Sequence, residues 1–336
     1  TVPLLPGELP QNLRIKQGAR SQTPEEFGEV CVEAIKGWHS RDGILRIMMG
    51  TDGPQRCSEK LLKITKDIEE KYEVGWHTHI LEAKTQAVMA NKLYGKGLIE
   101  YLDQLGMVNE RTSFAHFIWV SEKEIEITKE RRANIIHCPS TALHLGSGVT
   151  PIDLLLHNGL KVAIGTDGGN CGNLSMFEKV RLTALLHRVG QPDYQQWISA
   201  KDALRIALEG GARAMLLKDS IGSIEVGKDA DLSIINLKNV LWQPINDIVN
   251  QLVFGENGSS VETIYVKGRK IFDKGKSLLV DEENIVTRAM AAVERLKKDN
   301  REAFELVKKQ IPYFRNMYLR TVNEDLGYNR YTRPLL

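Results

Sequence analysis

Apolar and polar positions along the chain follow two periods, one typical of amphipathic helices and one typical of short buried strands. The helical pattern predicts helices over residues 23–39, 58–72, 82–95, 121–132, 150–159, 174–188 and 199–215. The strand pattern lies between them and predicts strands over residues 43–50, 73–80, 112–120, 133–139 and 161–168. Strands that alternate with helices predict an α/β fold with a parallel sheet and crossover helices.

The pattern changes after residue 220, which suggests further units. Residues 222–237 and 261–276 have the pattern of short strands with Gly and Lys in the turns, and residues 282–320 have a long, charged helical pattern. We therefore expect three units: a partial (β/α)8 barrel of the TIM type over 1–220, part of a small β-sandwich over 221–280, and a C-terminal helical extension over 281–336.

Residues that bind metals or transfer protons recur at the ends of the predicted strands. His79, His116, the pair His137-Cys138 and Asp167 each lie at or just beyond the carboxyl end of a strand. This arrangement is typical of a (β/α)8 barrel, because its βα loops build the active site on that face. The alternative, a doubly wound open sheet, usually carries a glycine-rich phosphate turn. The sequence has no G-x-G-x-x-G motif and no P-loop.

Composition and charge narrow the classes of partner. The chain has 336 residues, of which 42% are hydrophobic and 26% charged, with a formal net charge of +2. That balance gives no support for binding nucleic acid or a membrane surface. The 4 cysteines are scattered and fit a reducing cytosol, so we expect a cytoplasmic protein. No stretch approaches the ~20 apolar residues of a membrane span, and homo-oligomerisation is left open.

The segment "GWHTHILEAKTQ" contains three candidate site residues close together. In a strand, residues two apart face the same way, so His77 and His79 could both point into one site, with Glu82 just beyond the strand end. Imidazole and carboxylate groups suit a divalent ion such as zinc or iron. The alternative is a histidine pair that binds nothing. A catalytic zinc usually has three protein ligands and an open position, and these residues with His116 and Asp167 fall one or two ligands short.

The order of these motifs resembles the amidohydrolase superfamily, in its branch of cytosine, guanine and adenosine-type deaminases and triazine chlorohydrolases. The resemblance runs from about residue 43 to 276. It is carried by "HTHILEAKTQ", "SFAHFIWVSEKEI", "HCPSTALHLGSGVTPIDLLLHNG", "VAIGTDG" and the later segments "GGARAM" and "GSIEVGKDADL".

The resemblance implies a role for each of four residues. His79 and Asp167 would bind a metal, and Asp167 would also act as general base toward the water on that metal. Glu82 would move a proton to the leaving group or ring nitrogen, and His116 would polarise the tetrahedral centre. One divalent metal is implied, zinc before iron, because "ILRIMMGTDG" offers no candidate for the carbamylated lysine of two-metal relatives.

The implied reaction is hydrolytic deamination of an amino-substituted purine, pyrimidine or triazine. Hydroxide from the metal-bound water would attack the ring carbon, and ammonia would leave. A dechlorinating or N-dealkylating hydrolase of the same family is the nearest alternative. An alternative from another class is a metal-free binding paralogue, because the H-x-H pair that supplies two metal ligands on the family's first strand is not found upstream of residue 43.

Several other residues have a structural interpretation. We expect His77 and His137 to be structural, and the alternative for His116 is a core histidine beside Trp119. Cys138 and Cys171 are expected near the mouth of the site. His39, His157 and His187 fall on predicted helices and are expected to be surface or packing residues.

The loop after the third motif departs from the family pattern. Thr141-Ala142 replaces the common Ser-Asn pair, and His144 adds an imidazole. Because this loop borders the substrate, the departure bears on substrate identity.

The count of strands predicts more chain than this sequence contains. Five barrel strands are predicted, and a βα unit with its next strand takes about 30 residues. Five strands do not close an eight-stranded barrel. We expect an upstream segment of roughly 90–120 residues, carrying an H-x-H motif and the first half of the β-sandwich.

Overall fold

The computed structural model describes residues 10–13 and 22–332, which contain a five-stranded parallel sheet. Its strands follow one another in chain order, and every neighbouring pair is parallel. They are β1 (Met49–Gly50), β2 (Trp76–Ile80), β3 (Thr112–His116), β4 (Asn134–His137) and β5 (Lys161–Ile164). The five predicted strands are therefore all present.

Helices separate the strands and cover the sheet. They are α1 (Pro24–Trp38), α2 (Glu59–Tyr72), α3 (Lys84–Tyr94), α4 (Leu98–Gln104), α5 (Glu122–Glu130), α6 (Pro139–His144), α7 (Ile152–His157), α8 (Met176–Leu186), α9 (Ala200–Arg205) and α10 (Gly211–Ala214), the last two joined by a π-helical turn (Ile206–Gly210). The patterns at 98–104 and 139–144 were too short to predict α4 and α6, which are helices of seven and six residues.

Local sequence explains several helix boundaries. Thr23 with Glu26, and Ser121 with Glu124, each form the reciprocal hydrogen bonds of a capping box at the start of α1 and α5. Gly95 ends α3 with φ 67°, a left-handed conformation that glycine adopts at little cost.

All five strands of the parallel sheet are shorter in the structure than predicted, and two of them have a clear physical reason. The strand predicted over 43–50 was wrong for most of its length, because only Met49–Gly50 pairs with β2 and Ile44 and Leu45 are exposed. The strand predicted over 112–120 ends at His116, where a positive φ of 74° turns the chain out of the sheet.

The core lies between the sheet and the helices. In β2 the residues Trp76, Thr78 and Ile80 are buried, whereas the alternate His77 and His79 are exposed or partly exposed on the other face. The helix pair α9–α10 approaches β5 so closely that a Cβ at Gly210 would lie 2.3 Å from the Val162 carbonyl oxygen. A glycine is therefore required at this contact.

The second half of the chain adds a smaller sheet. It is antiparallel, with the order β6 (Leu232–Ile235), β7 (Val261–Val266), β8 (Arg269–Asp273) and β9 (Lys276–Ser277). Between β6 and β7, helix α11 (Ile248–Phe254) packs against α8 and α9. The expected unit at 221–280 thus contains a helix as well as strands.

Two long helices follow, α12 (Glu282–Asp299) and α13 (Arg301–Val322), and α13 contacts α3. We keep the division at 220/221 and 280/281 as a proposal. Within the described ranges, no helix is long and apolar enough to cross a membrane.

Candidate active site

Three side chains from three strand ends meet at the carboxyl edge of the parallel sheet. Glu82 lies two residues beyond β2, His116 is the last residue of β3, and Asp167 lies three residues beyond β5. His116 Nε2 is 4.0 Å from Glu82 Oε1 and 3.9 Å from Asp167 Oδ2. One ligand atom from each residue lies within 4.8 Å of the others. The structure therefore brings together all three residues that the sequence assigned to catalysis.

The backbone at these strand ends adopts conformations that side chains usually avoid. Leu81, His116, Phe117 and Asp167 have positive φ values of 50°, 74°, 55° and 59°. Such conformations cost on the order of 1–3 kcal/mol each and cluster at functional sites. Here the left-handed turns direct His116 and Asp167 into the site instead of continuing the strand alternation.

His116 is a buried imidazole, with a residue exposure of 2%. Burial lowers its pKa, although the nearby Glu82 and Asp167 carboxylates act in the opposite direction. Among the described residues, its Nδ1 atom has no hydrogen-bond partner. The lowered pKa favours a neutral ring at neutral pH, which can bind a metal or hydrogen-bond a substrate.

Asp167 is a partly buried carboxylate that is held in its charged form. Burial acts to raise its pKa. The Gly168 backbone N–H, which donates to Oδ1 at 2.5 Å, acts in the opposite direction, as do the Thr141 side chain and the imidazoles of His116 and His79. The net effect is a pKa below the ordinary value for aspartate, so Asp167 can serve as a ligand or as a base.

His79 lies beside this group, and its free ring nitrogen is available. Its ring stacks on that of His116 with centroids 5.5 Å apart and planes 15° apart. Its Nδ1 donates to the backbone carbonyl of Asp52. A backbone hydrogen bond at Nδ1 fixes the tautomer in which Nε2 carries a lone pair, as is usual for metal-binding histidines. His79 is, however, not one of the three residues whose ligand atoms lie within 4.8 Å of one another.

The donor set fits a divalent cation. The Glu82 and Asp167 carboxylates have side-chain exposures of only 24% and 22% and lie close together, so their charges repel where water screens them poorly. A cation bound at this site would offset that repulsion, and His116 and His79 offer the imidazole donors that zinc and iron accept.

The other sequence candidates lie outside this group. The His77 ring bonds to the Ser113 hydroxyl at 2.9 Å, and His144 is exposed on α6. His137 is buried, and burial lowers its pKa to about 3. Within the described part of the chain, neither of its ring nitrogens has a hydrogen-bond partner. Burial also raises the pKa of the Cys138 thiol to about 12, which makes a thiolate nucleophile unfavourable.

The remaining candidates have packing or turn positions. Thr141 and Ala142, where the sequence departs from the family pattern, are buried in α6. Cys171 closes a short 3₁₀ turn beyond Asp167. His187, expected to be a surface or packing residue, is buried, and its Nε2 accepts the Ile198 N–H at 3.0 Å.

The structure adds a residue that the sequence analysis missed. Asp52, just beyond β1, presents its carbonyl to His79, and its carboxylate lies 3.5 Å from the same Nδ1 atom. Its position at a strand end was the available signal, but the short β1 gave no pattern that distinguished it from a turn aspartate.

A family model agrees with these strand-end motifs. Residues 5–271 match the model of the amidohydrolase family. The chain belongs to the amidohydrolase family. Its predicted fold class, an amidohydrolase-like TIM-type barrel with a small β unit, is thereby confirmed, and the described residues contain five of the parallel strands.

Curated relatives of this amidohydrolase are named as deaminases of adenosine derivatives. A 5'-deoxyadenosine deaminase of Methanosarcina acetivorans is 32% identical over 280 residues, which cover 81% of this chain and 64% of the relative. A 5-methylthioadenosine/S-adenosylhomocysteine deaminase of Caldanaerobacter subterraneus is 33% identical over 276 residues, with coverages of 80% and 64%. The chain thus spans less than two thirds of the length of these relatives.

Solved structures of related hydrolases share the fold. An adenosine deaminase from Xanthomonas campestris with bound zinc superposes with a TM-score of 0.78 at 28% identity, covering 82% of this chain and 62% of that one. Atrazine chlorohydrolase from Arthrobacter aurescens, complexed with zinc, gives 0.75 at 27% identity, with coverages of 82% and 62%. Guanine deaminase of E. coli gives 0.67 at 25% identity, with coverages of 76% and 61%.

Proposed function

We propose that this amidohydrolase is a metal-dependent deaminase that removes the exocyclic amino group of an adenine-type nucleoside. The observation that carries the proposal is the convergence of Glu82, His116 and Asp167 at three strand ends, with His79 beside them. The deaminase names of the relatives support a purine ring as substrate. In this reaction water replaces the amino group, the ring carbon gains an oxo group, and ammonia leaves.

We assign the metal to His79 and Asp167, with Glu82 and His116 close enough to contact the reacting atoms. A divalent metal, when bound, lowers the pKa of water from 15.7 toward roughly 7 and so supplies a nucleophile at neutral pH. Zinc is the proposed metal because the adenosine deaminase and chlorohydrolase neighbours contain it, and iron is the alternative.

The protein's own groups then handle the protons. Asp167 accepts a proton from the attacking water, a role suited to a carboxylate whose lowered pKa keeps it ionised. Glu82 relays a proton to the departing nitrogen, so the proton removed from water is balanced by the one that leaves with ammonia. The buried His116 hydrogen-bonds the ring substituent at the reacting carbon, where neutral imidazole stabilises charge without ionising itself.

A substrate panel tests the proposal. Purified protein with measured metal content is incubated with 5'-deoxyadenosine, 5'-methylthioadenosine, adenosine, guanine and cytosine, and ammonia is quantified. We expect release from at least one adenine nucleoside and about one metal per chain. A metal-loaded protein that releases no ammonia from any of these compounds would contradict the proposal.

A second hydrolytic function is favoured by the triazine hydrolase neighbours. The same residues could activate water toward a ring carbon that carries chloride or an alkylamine, so chloride or alkylamine release from atrazine is measured in parallel. A protein that holds no metal even after reconstitution would instead support the metal-free binding paralogue. Cytoplasmic location and homo-oligomerisation remain proposals, which cell fractionation and light scattering test.

A further inference from the structure

The chain leaves the parallel sheet at the end of β3 in a corner formed by residues 116–120. Beyond His116 the carbonyl groups of this corner have no hydrogen-bond partner in the part of the sheet that the structure describes. Phe117, Ile118, Trp119 and Val120 are fully buried, and positive φ values at His116 and Phe117 take the chain out of the sheet. A buried carbonyl without a partner is costly, of the order of 1–3 kcal/mol. Donors from elsewhere in the chain must therefore satisfy this corner.

Those donors come from the C-terminal segment, residues 323–332, which we call the strap. Arg330 donates from Nε to the Ile118 carbonyl at 3.1 Å and from Nη2 to the Val120 carbonyl at 2.9 Å. The Tyr328 hydroxyl donates to the carbonyl between them, at 3.0 Å. Three consecutive carbonyls, which begin two residues beyond His116, are thus held by two strap side chains.

Packing and a backbone hydrogen bond also attach the strap to the corner and to the loop after α6. The Tyr331 ring meets the buried Trp119 ring edge-on, with centroids 4.9 Å apart. The Arg330 carbonyl accepts the Val149 N–H at 2.7 Å. Thr150, the next residue, donates its hydroxyl to the His116 carbonyl at 3.2 Å. His116 is therefore braced both from the corner and from the loop after α6.

The same end of the chain also contacts the start of α3, directly beyond Glu82. Lys84 donates from Nζ to the Val322 carbonyl at 2.7 Å, and the Thr85 and Thr321 hydroxyls are 3.0 Å apart. The corner is also tied to the loop that carries Glu82, because the N–H groups of Ile118 and Trp119 both donate to the Leu81 carbonyl. Glu82 and His116 thus share one C-terminal support.

We propose that the strap sets the position of His116, with Arg330 and Tyr328 as positioning residues for the reaction. The role rests on the proposed function, because it assumes that His116 contacts the substrate. Neither residue touches the group formed by Glu82, His116 and Asp167. Their effect would be transmitted through the Ile118, Trp119 and Val120 carbonyls, and a small displacement of a reacting group can cost as much as roughly 100-fold in rate.

Conservative variants of the full-length, metal-loaded protein test the proposal. Arg330→Lys keeps the charge but replaces the planar guanidinium, whose Nε and Nη2 atoms hold two separate carbonyls, with a single ammonium nitrogen. Tyr328→Phe removes only the hydroxyl. Tyr318→Phe is the control, because its hydroxyl contacts that of Tyr331 and none of the corner carbonyls. For each variant, kcat, KM, metal content and hydrogen exchange of the peptide spanning 116–120 are measured below the unfolding transition.

We expect Arg330→Lys and Tyr328→Phe to lower kcat by roughly tenfold, with KM within about twofold, unchanged metal and faster exchange at the corner. Tyr318→Phe should match the wild type in all four. Wild-type kcat in both test variants, or unaltered exchange at 116–120, would overturn the proposal, and so would equal losses in the control. If the wild type deaminates nothing, the proposed function fails, while the exchange data still decide whether the strap holds the corner.

Discussion

Glu82 is a half-buried carboxylate 4.0 Å from the His116 ring, close enough to act as a ligand or as a proton donor. We expect Glu82→Gln to lower kcat by about 10² or more, because glutamine cannot transfer the proton. Metal content should stay near that of the wild type, since His79 and Asp167 are assigned as ligands. Steady-state kinetics with elemental analysis checks this, and loss of the metal would reassign Glu82 as a ligand.

His116 is expected to affect rate more than metal content. His116→Asn keeps a hydrogen-bond donor but loses the ring whose Nε2 lies 4.0 Å from the Glu82 carboxylate and 3.9 Å from that of Asp167, so kcat should fall by roughly 10². His157→Ala, which removes an exposed imidazole at the end of α7, is the matched control and should retain full activity. Near-normal kcat in His116→Asn would remove this residue from the mechanism.

At the level of elements, His187 links the end of α8 to the segment before α9. Its Nε2 accepts the Ile198 N–H, and its Nδ1 donates to the Thr183 carbonyl at 3.3 Å, so the ring must be neutral. Burial lowers its pKa in the folded protein. Its contribution to stability is therefore complete above the unfolded pKa of about 6.5 and declines as the pH falls below that value.

The variant His187→Gln should weaken this pH dependence. Glutamine can still accept the Ile198 N–H but does not titrate, so the free energy of unfolding should fall less between pH 7.5 and pH 5.5 than in the wild type. One proton corresponds to at most about 1.4 kcal/mol per pH unit. Urea unfolding at the two pH values measures the difference, with His157→Gln on the exposed end of α7 as control. Identical slopes in the wild type and His187→Gln would contradict the assignment.

Local signals account for most elements that the sequence predicted. The capping boxes at Thr23 and Ser121 each involve residues only three positions apart, and Gly95 ends α3 by its own conformation. These boundaries can therefore be predicted without knowledge of tertiary contacts. Ile44 and Leu45 show the limit of this approach. Their apolar run has strand character, but a strand also needs a paired neighbour, and only Met49 and Gly50 find one.

At the scale of the molecule, the site was predictable because of topology. The carboxyl ends of parallel strands lie at one edge, so His79, His116 and Asp167 could be placed together from the order of strands alone. The strap contacts could not be predicted in this way. Lys84 and Val322 are 238 positions apart, and no periodicity in either segment specifies its partner.

The proposed metal site joins residues from separate strand ends, so we expect removal of the metal to lower the thermal stability of the protein. A ligand at about 100 times its Kd stabilises the folded state by about 2.7 kcal/mol, which should raise Tm by about 4 °C in a protein of this size. We therefore expect zinc to raise the Tm of chelator-treated protein by this amount. Asp167→Asn should abolish most of the shift, because it removes a ligand charge from the group, whereas His144→Ala should retain it. A full shift in Asp167→Asn would mean that zinc binds elsewhere, and the rate effects of Glu82 and His116 would then need another explanation.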